Sequence, residues 1–185
     1  YESWIIYLDR QGRPSDRVRL PAMRMQGAKL VLGLADGGVL LMRADRGYVY
    51  LARVSRQGAL VWERHMESES YGDLPPPVAS PSGDGVAILD LSYVNSDWRQ
   101  RVGDTCRFLR LDENGQELAT QELGEWGDQY PTSLVPLPAG GFLVFCSVND
   151  KAFDRHDSWI ARVDDKGGVV WRRDIGGYVV TAVGL

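Results

Sequence analysis

The sequence predicts an all-β fold of repeated four-stranded antiparallel units, and three observations carry that expectation. Four segments align on a glycine that follows a strand-like run by a fixed count: Trp4 to Gly12 (WIIYLDRQG), Tyr50 to Gly58 (YLARVSRQG), Arg107 to Gly115 (RFLRLDENG) and Trp159 to Gly167 (WIARVDDKG). These glycines lie 46, 57 and 52 residues apart. Hairpins of the same build fall between them, with turns at Gly37 and Gly38, Gly83 and Gly85, and Gly140 and Gly141. No segment sustains the 3.6-residue periodicity and caps of a helix, and prolines recur at 75 to 77, 81, 131, 136 and 138.

Each aligned segment reads as a hairpin whose tight turn uses glycine where φ must be positive. With the hairpin that precedes it, it makes a unit of four strands, A to D. Taken in order, residues 1–20 hold C and D of a partial unit, complete units span about 28–66, 76–123 and 132–175, and 178–185 (YVVTAVGL) begin another with an A-like strand, fifteen strands in all. Antiparallel units of this size, recurring at roughly 40 to 50 residues, are the signature of β-propeller blades. A four-bladed ring would take A of its last blade from one end of the sequence and C and D from the other, with no B between them. Unpaired backbone at that seam is costly, so the expectation is a portion of a larger ring, of roughly six to eight blades, or a seam completed by another chain.

Composition narrows the function classes. The chain has 185 residues, 44% apolar and 25% charged, enough for one packed domain, and its net charge of -4 denies it the broad basic surface of a nucleic-acid binder. No apolar run approaches the roughly 18 residues of a membrane span. The two cysteines, without CxxC spacing, suit neither a disulfide framework nor a structural zinc site. Cys106 and Cys146 are expected near the same face on adjacent blades, as separate, partly buried thiols. Residue 1 is Tyr rather than Met. A removed leader would place the protein outside the cytoplasm, in the periplasm or secreted, and that is the expected location.

The pattern in WIARVDDKGGVVWRRDIGG, and more loosely in YLARVSRQGALVWERH, resembles the repeat of bacterial PQQ-like and outer-membrane-assembly-type β-propellers: an apolar strand, an acidic turn, a glycine, then a tryptophan. Trp62 and Trp171 hold the tryptophan position, with Val18 and Leu118 or Ala119 in that neighbourhood of the other units. The resemblance implies the propeller fold over nearly the whole chain and a bacterial, periplasmic scaffold role. It does not imply redox chemistry, because the axial cluster of charged, aromatic and metal-binding residues that PQQ needs is missing. No cofactor or metal is expected.

Strand alternation puts the short A to B and C to D turns on one face and the longer B to C and D to A loops on the other. Binding residues usually sit on longer loops of a rigid scaffold, so the long-loop face is the candidate site. It is acidic with aromatic anchors. The candidate partner-binding residues are Tyr71, Asp73, Trp98, Arg99, Trp126, Asp128, Tyr130, Asp154 and His156, with Trp98 foremost because it lies mid-loop between Asp97 and Arg99, away from any strand pattern. Trp126 and Tyr130 equally suit packing between blades, and Trp62 and Trp171, recurring at the blade period, suit packing best. Arg53, Arg110 and Arg162 share one register on strand C and are expected to be solvated edge charges.

Catalysis has little to stand on. GxSxG, HExxH and GxxxxGK[ST] are absent. His156 lies between Asp154 and Asp157 with no nucleophile beside it, and His65 sits on an outer strand. Asp36, Asp84 and Asp90 on the inner strands do not converge, as a hydrolase would require. The expected function is therefore a non-catalytic scaffold that binds another protein in an assembly, adaptor or inhibitor role, with a carbohydrate-binding or glycan-hydrolysing propeller as the alternative. No nucleic acid partner and no membrane span are expected.

Overall fold

The structure is a computed structural model that describes residues 2–20, 28, 30–45, 47–68, 74–93, 104–124, 128–150 and 155–177. Its strands run β1 (Trp4–Leu8), β2 (Pro14–Arg19), β3 (Leu30–Gly33), β4 (Val39–Asp45), β5 (Tyr48–Val54), β6 (Leu60–Glu67), β7 (Val78–Ala79), β8 (Gly85–Tyr93), β9 (Asp104–Asp112), β10 (Glu117–Glu122), β11 (Asp128–Pro136), β12 (Phe142–Asp150), β13 (Arg155–Val163) and β14 (Val169–Asp174). They form a β1–β2 hairpin and three four-stranded sheets in sequence order: β3 to β6 (sheet I), β7 to β10 (sheet II) and β11 to β14 (sheet III). Every pairing is antiparallel. The A-like strand expected at 178–185 lies outside the described residues.

The four C to D hairpins are copies of one local solution. Each turns on a glycine at positive φ, such as Gly58 at 86° and Gly115 at 77°, where a Cβ would be strained. Each carries a register shift beside the turn, at Tyr7/Leu8, Arg53/Val54, Glu117/Ala119 and Arg162/Val163. The residue that opens the turn caps it with its side chain: Asp112 Oδ1 accepts the N–H groups of Asn114 (2.8 Å) and Gln116 (2.7 Å), and Asp9 and Asp164 repeat the arrangement.

The second strand of sheet I, VLLM at its start, is buried on both faces, and this sets the packing. Leu40, Met42, Val49 and Leu51 face sheet II and join Leu74, Val86, Ile88, Leu109 and Leu111 in one core. Val39, Leu41, Ala52 and Val54 face the other way, toward Ile5 and Leu20 of the hairpin region. Between sheets II and III a third core contains Phe108 and Phe142, whose ring centroids are 5.3 Å apart, and the buried Trp159. Hairpin, sheet I, sheet II and sheet III thus stack in chain order as a β-propeller-like array, and the described sheets do not close into a ring. The outermost D strands are solvated, β14 along its whole length.

Two expectations are corrected here. Cys106 and Cys146 are free, but both are fully buried in the core between sheets II and III rather than partly exposed. Burial first, and the Cys106 thiol beside it second, push the Cys146 thiol well above the usual range. Arg53 and Arg110 are not solvated edge charges either. Arg110 keeps 6% side-chain exposure and Arg53 18%, because both reach across a sheet junction.

Candidate functional site

Seven tight turns gather at one end of the array, each closed by main-chain bonds such as Gly58 N to Ser55 O at 2.9 Å. The longer connections, β2 to β3, β6 to β7 and β8 to β9, leave from the other end; β4 to β5, β10 to β11 and β12 to β13 there are short, so the expected long loop between β12 and β13 is only residues 151–154. This end is braced at the base of its connections. Buried Asp90 on β8 accepts from Ser68 Oγ and pairs with Arg107, which also donates to the Glu67 carbonyl (2.8 Å) and so ties the exit of sheet I to sheet II. Thr105 Oγ1 donates to the Gly124 carbonyl at 3.1 Å. Arg172 stacks on Trp159, 4.6 Å from the ring centroid, and donates to the Leu123 carbonyl at 3.2 Å. Buried Gln129 accepts the Cys106 N–H at 3.4 Å.

Of the candidate residues, Tyr71, Asp73, Trp98, Arg99, Trp126 and Asp154 lie outside the described residues. Tyr130 is on β11 and 44% exposed. Asp128 and His156 belong to strands rather than loops, since the ladder runs on to Asp128↔Asn149 and Asn149↔His156. Polar sequence hid this extension, because β11 continues through Pro131, where a register shift between Pro131 and Ser133 absorbs the missing donor.

The opposite, tight-turn end holds a cavity of about 190 Å³ between sheets I and II, lined among others by Leu34, Asp36, Arg53, Trp62, Val86 and Glu113. Its polar groups serve one another. Arg53 pairs with Asp36 (2.7 Å) and donates to the Glu113 carbonyl, which also receives Trp62 Nε1 at 2.9 Å. Gly38 N–H first, and Arg53 second, hold the Asp36 carboxyl below its ordinary value. The next junction repeats the device. Arg110 pairs with Asp84, bonds Ser80 (3.1 Å) and Ser82 (3.2 Å), and donates to the Asp165 carbonyl of sheet III. Ligand pockets run roughly 300 to 1,000 Å³ with polar groups aimed into them, so this cavity reads as a sheet junction. The shared register of the arginines was visible in sequence. Their reach into the following turn was not, because it crosses between sheets.

Asp36 is engaged with Arg53 on β5, and Asp84 and Asp90 with Arg110 and Arg107 at different positions of β9, so among the described residues these inner carboxylates do not converge on a reacting position. No helix among the described residues is long and apolar enough to cross a membrane. No family model and no curated protein matches the sequence. Among solved structures the chain is similar to a puromycin hydrolase, crystallised as a serine-to-alanine mutant complexed with PGG, at 17% identity and a TM-score of 0.41. That alignment covers 85% of this chain and 25% of the hydrolase, so the chain spans about a quarter of that protein's length.

Proposed function

We propose that the protein is a non-catalytic scaffold, a portion of a larger propeller-type ring with the PQQ-like repeat pattern, that binds another protein through the end from which its long connections emerge. One observation carries the reading: the longer connections share an end and spring from braced bases, while the tight turns occupy the other. A rigid frame that displays long segments on one side suits recognition, and aromatic residues among carboxylates there supply anchors for a protein surface. Tyr130, exposed beside Ser147 on the rim of sheet III, belongs to that surface.

The test is in-cell crosslinking followed by mapping of the crosslinked peptides, paired with a glycan array. Crosslinks to one protein partner through residues 69–73, 94–103, 125–130 or 151–157, weakened at least tenfold by Trp98→Ala, are expected. Crosslinks confined to the tight-turn end would overturn the reading. Sugar binding lost in Trp98→Ala, without a protein partner, would replace it with the glycan-binding alternative.

A further inference from the structure

One contact is repeated, in the same register, at both junctions between sheets. Two side chains of one sheet, from neighbouring positions on its third and fourth strands, close over the β-turn of the next. Between sheets I and II, Arg53 and its cross-strand partner Trp62 both donate to the Glu113 carbonyl, and the Trp62 ring covers Gly115, where a Cβ would lie 2.8 Å from it. Between sheets II and III, Arg110 donates to the Asp165 carbonyl and its partner Ala119 covers Gly167. Between the hairpin and sheet I the same turn is covered differently: Tyr7 lies under the Arg56 guanidinium, 5.4 Å from its ring centroid, and donates to the Gly37 carbonyl, while Val18, not Tyr7's partner Asp16, covers Gly58. Position for position, Arg56, Glu113 and Asp165 are the same residue of the turn.

The series has two loose ends. At the far side of sheet III, Arg162 and its partner Trp171 occupy the positions of Arg53 and Trp62. Arg162 makes no hydrogen bond or ion pair with a described residue, and Ala139 stands in its turn where Asp36 serves Arg53. Trp171 is 36% exposed. At the near side, the β1–β2 turn has the same capping and the same glycine as the turns that are covered, yet nothing lies within 4 Å of a Cβ placed on Gly12. The flanking faces are apolar as well: Trp4, Ile6 and Leu8, 44% to 61% exposed, point away from sheet I, and the half-buried Leu143, Phe145 and Ile160 point away from sheet II.

We propose that these ends are the two halves of one interface, and that the occupant of the sheet III face is the β1–β2 hairpin of a second copy of this chain. Arg162 then donates to the Arg10 carbonyl and Trp171 covers Gly12. The acceptor is a main-chain oxygen, so Arg10 needs no acidic side chain. A head-to-tail contact closes when the rotation allows it. The described strands of two copies amount to six sheets and two hairpins, eight blade positions, at the upper bound of the roughly four to eight blades that such rings contain. The inference concerns the ends of the array and stands apart from the loop-face reading above.

Sedimentation equilibrium of the 185-residue chain tests it. A twofold monomer mass is expected for wild type, falling to the monomer mass both in the double substitution Arg162→Ala, Trp171→Ala and, at the opposite end, in Gly12→Asn. Asparagine tolerates the positive φ at that position and puts atoms where the indole must sit. Within one copy Gly12→Asn removes no bond and Trp171→Ala removes only the Arg173 guanidinium's contact with the indole ring, and unaltered circular dichroism of the variants checks their folding. A wild-type monomer at every concentration overturns the proposal. A monomer whose melting temperature falls with Arg162→Ala assigns the seat to its own hairpin, and a dimer that survives either variant places the interface elsewhere; both also overturn it.

Discussion

Arg110 and Asp84 show how a junction side chain can be read at the scale of single residues. The Asp84 carboxyl is brought down from 3.8 to about 2, first by the Ser82 hydroxyl and then by the Arg110 guanidinium. A group whose folded pKa is depressed contributes stability above its unfolded value, and that contribution is lost as pH falls through the folded one. Asp84 therefore contributes fully above about pH 4 and nothing below about pH 2. With 52% of its side chain exposed, solvent screening keeps that contribution under about 1 kcal/mol. Wild type and Asp84→Asn are expected to differ in urea midpoint above about pH 4 and to converge toward about pH 2. A gap that persists at the acid end would show that the side chain's shape, not its charge, was being measured. Cys146 differs in kind: burial and a second sulfur act in the same direction on it, and both oppose the thiolate, so the pair is chemically quiet where it sits.

At the scale of elements, glycine does different work in turns that look alike in sequence. Gly83 and Gly141 have nearly equal φ, 76° and 77°. A Cβ on Gly83 meets open space, whereas one on Gly141 runs into the Val163 carbonyl of the adjacent β13. Both substitutions to alanine incur the backbone strain, and only Gly141→Ala adds the clash. Gly141→Ala is expected to cost about 1 to 3 kcal/mol more than Gly83→Ala in urea unfolding. Equal costs would mean that β12 and β13 relax apart freely. The contrast also marks what was legible in the sequence. Turn glycines, capping aspartates and strand alternation are local, so the hairpins and the four-stranded antiparallel sheets were legible. The early start of β11 was missed because Pro131 reads as a strand breaker, and a register shift removes that conflict. The junction arginines were misread because each partner lies 17 to 60 residues away on another strand or sheet, and one strand's pattern cannot report it.

At the scale of the whole molecule, the array is a chain of nearest-neighbour contacts, and its stability is the sum of sheet and junction contributions. Sheet II has a core on each face, one shared with sheet I and one with sheet III. The hairpin has two strands and one covered face, and two-stranded hairpins are marginal alone. Amide exchange is therefore expected to be slowest in β8 and β9 and fastest in β1 and β2. Phe142→Ala sharpens the argument, because its fully buried ring packs on Phe108 across the junction of sheets II and III. Its loss is expected to cost about 3 to 5 kcal/mol. In a nearest-neighbour array that cost falls on one junction, so exchange should accelerate strongly in β12 and β13, less in β8 and β9, and little in β4 and β5. Hydrogen–deuterium exchange resolved by peptide reads this gradient directly. Uniform acceleration in all three sheets would show instead that they unfold as one cooperative unit, with the junctions too strong to open singly.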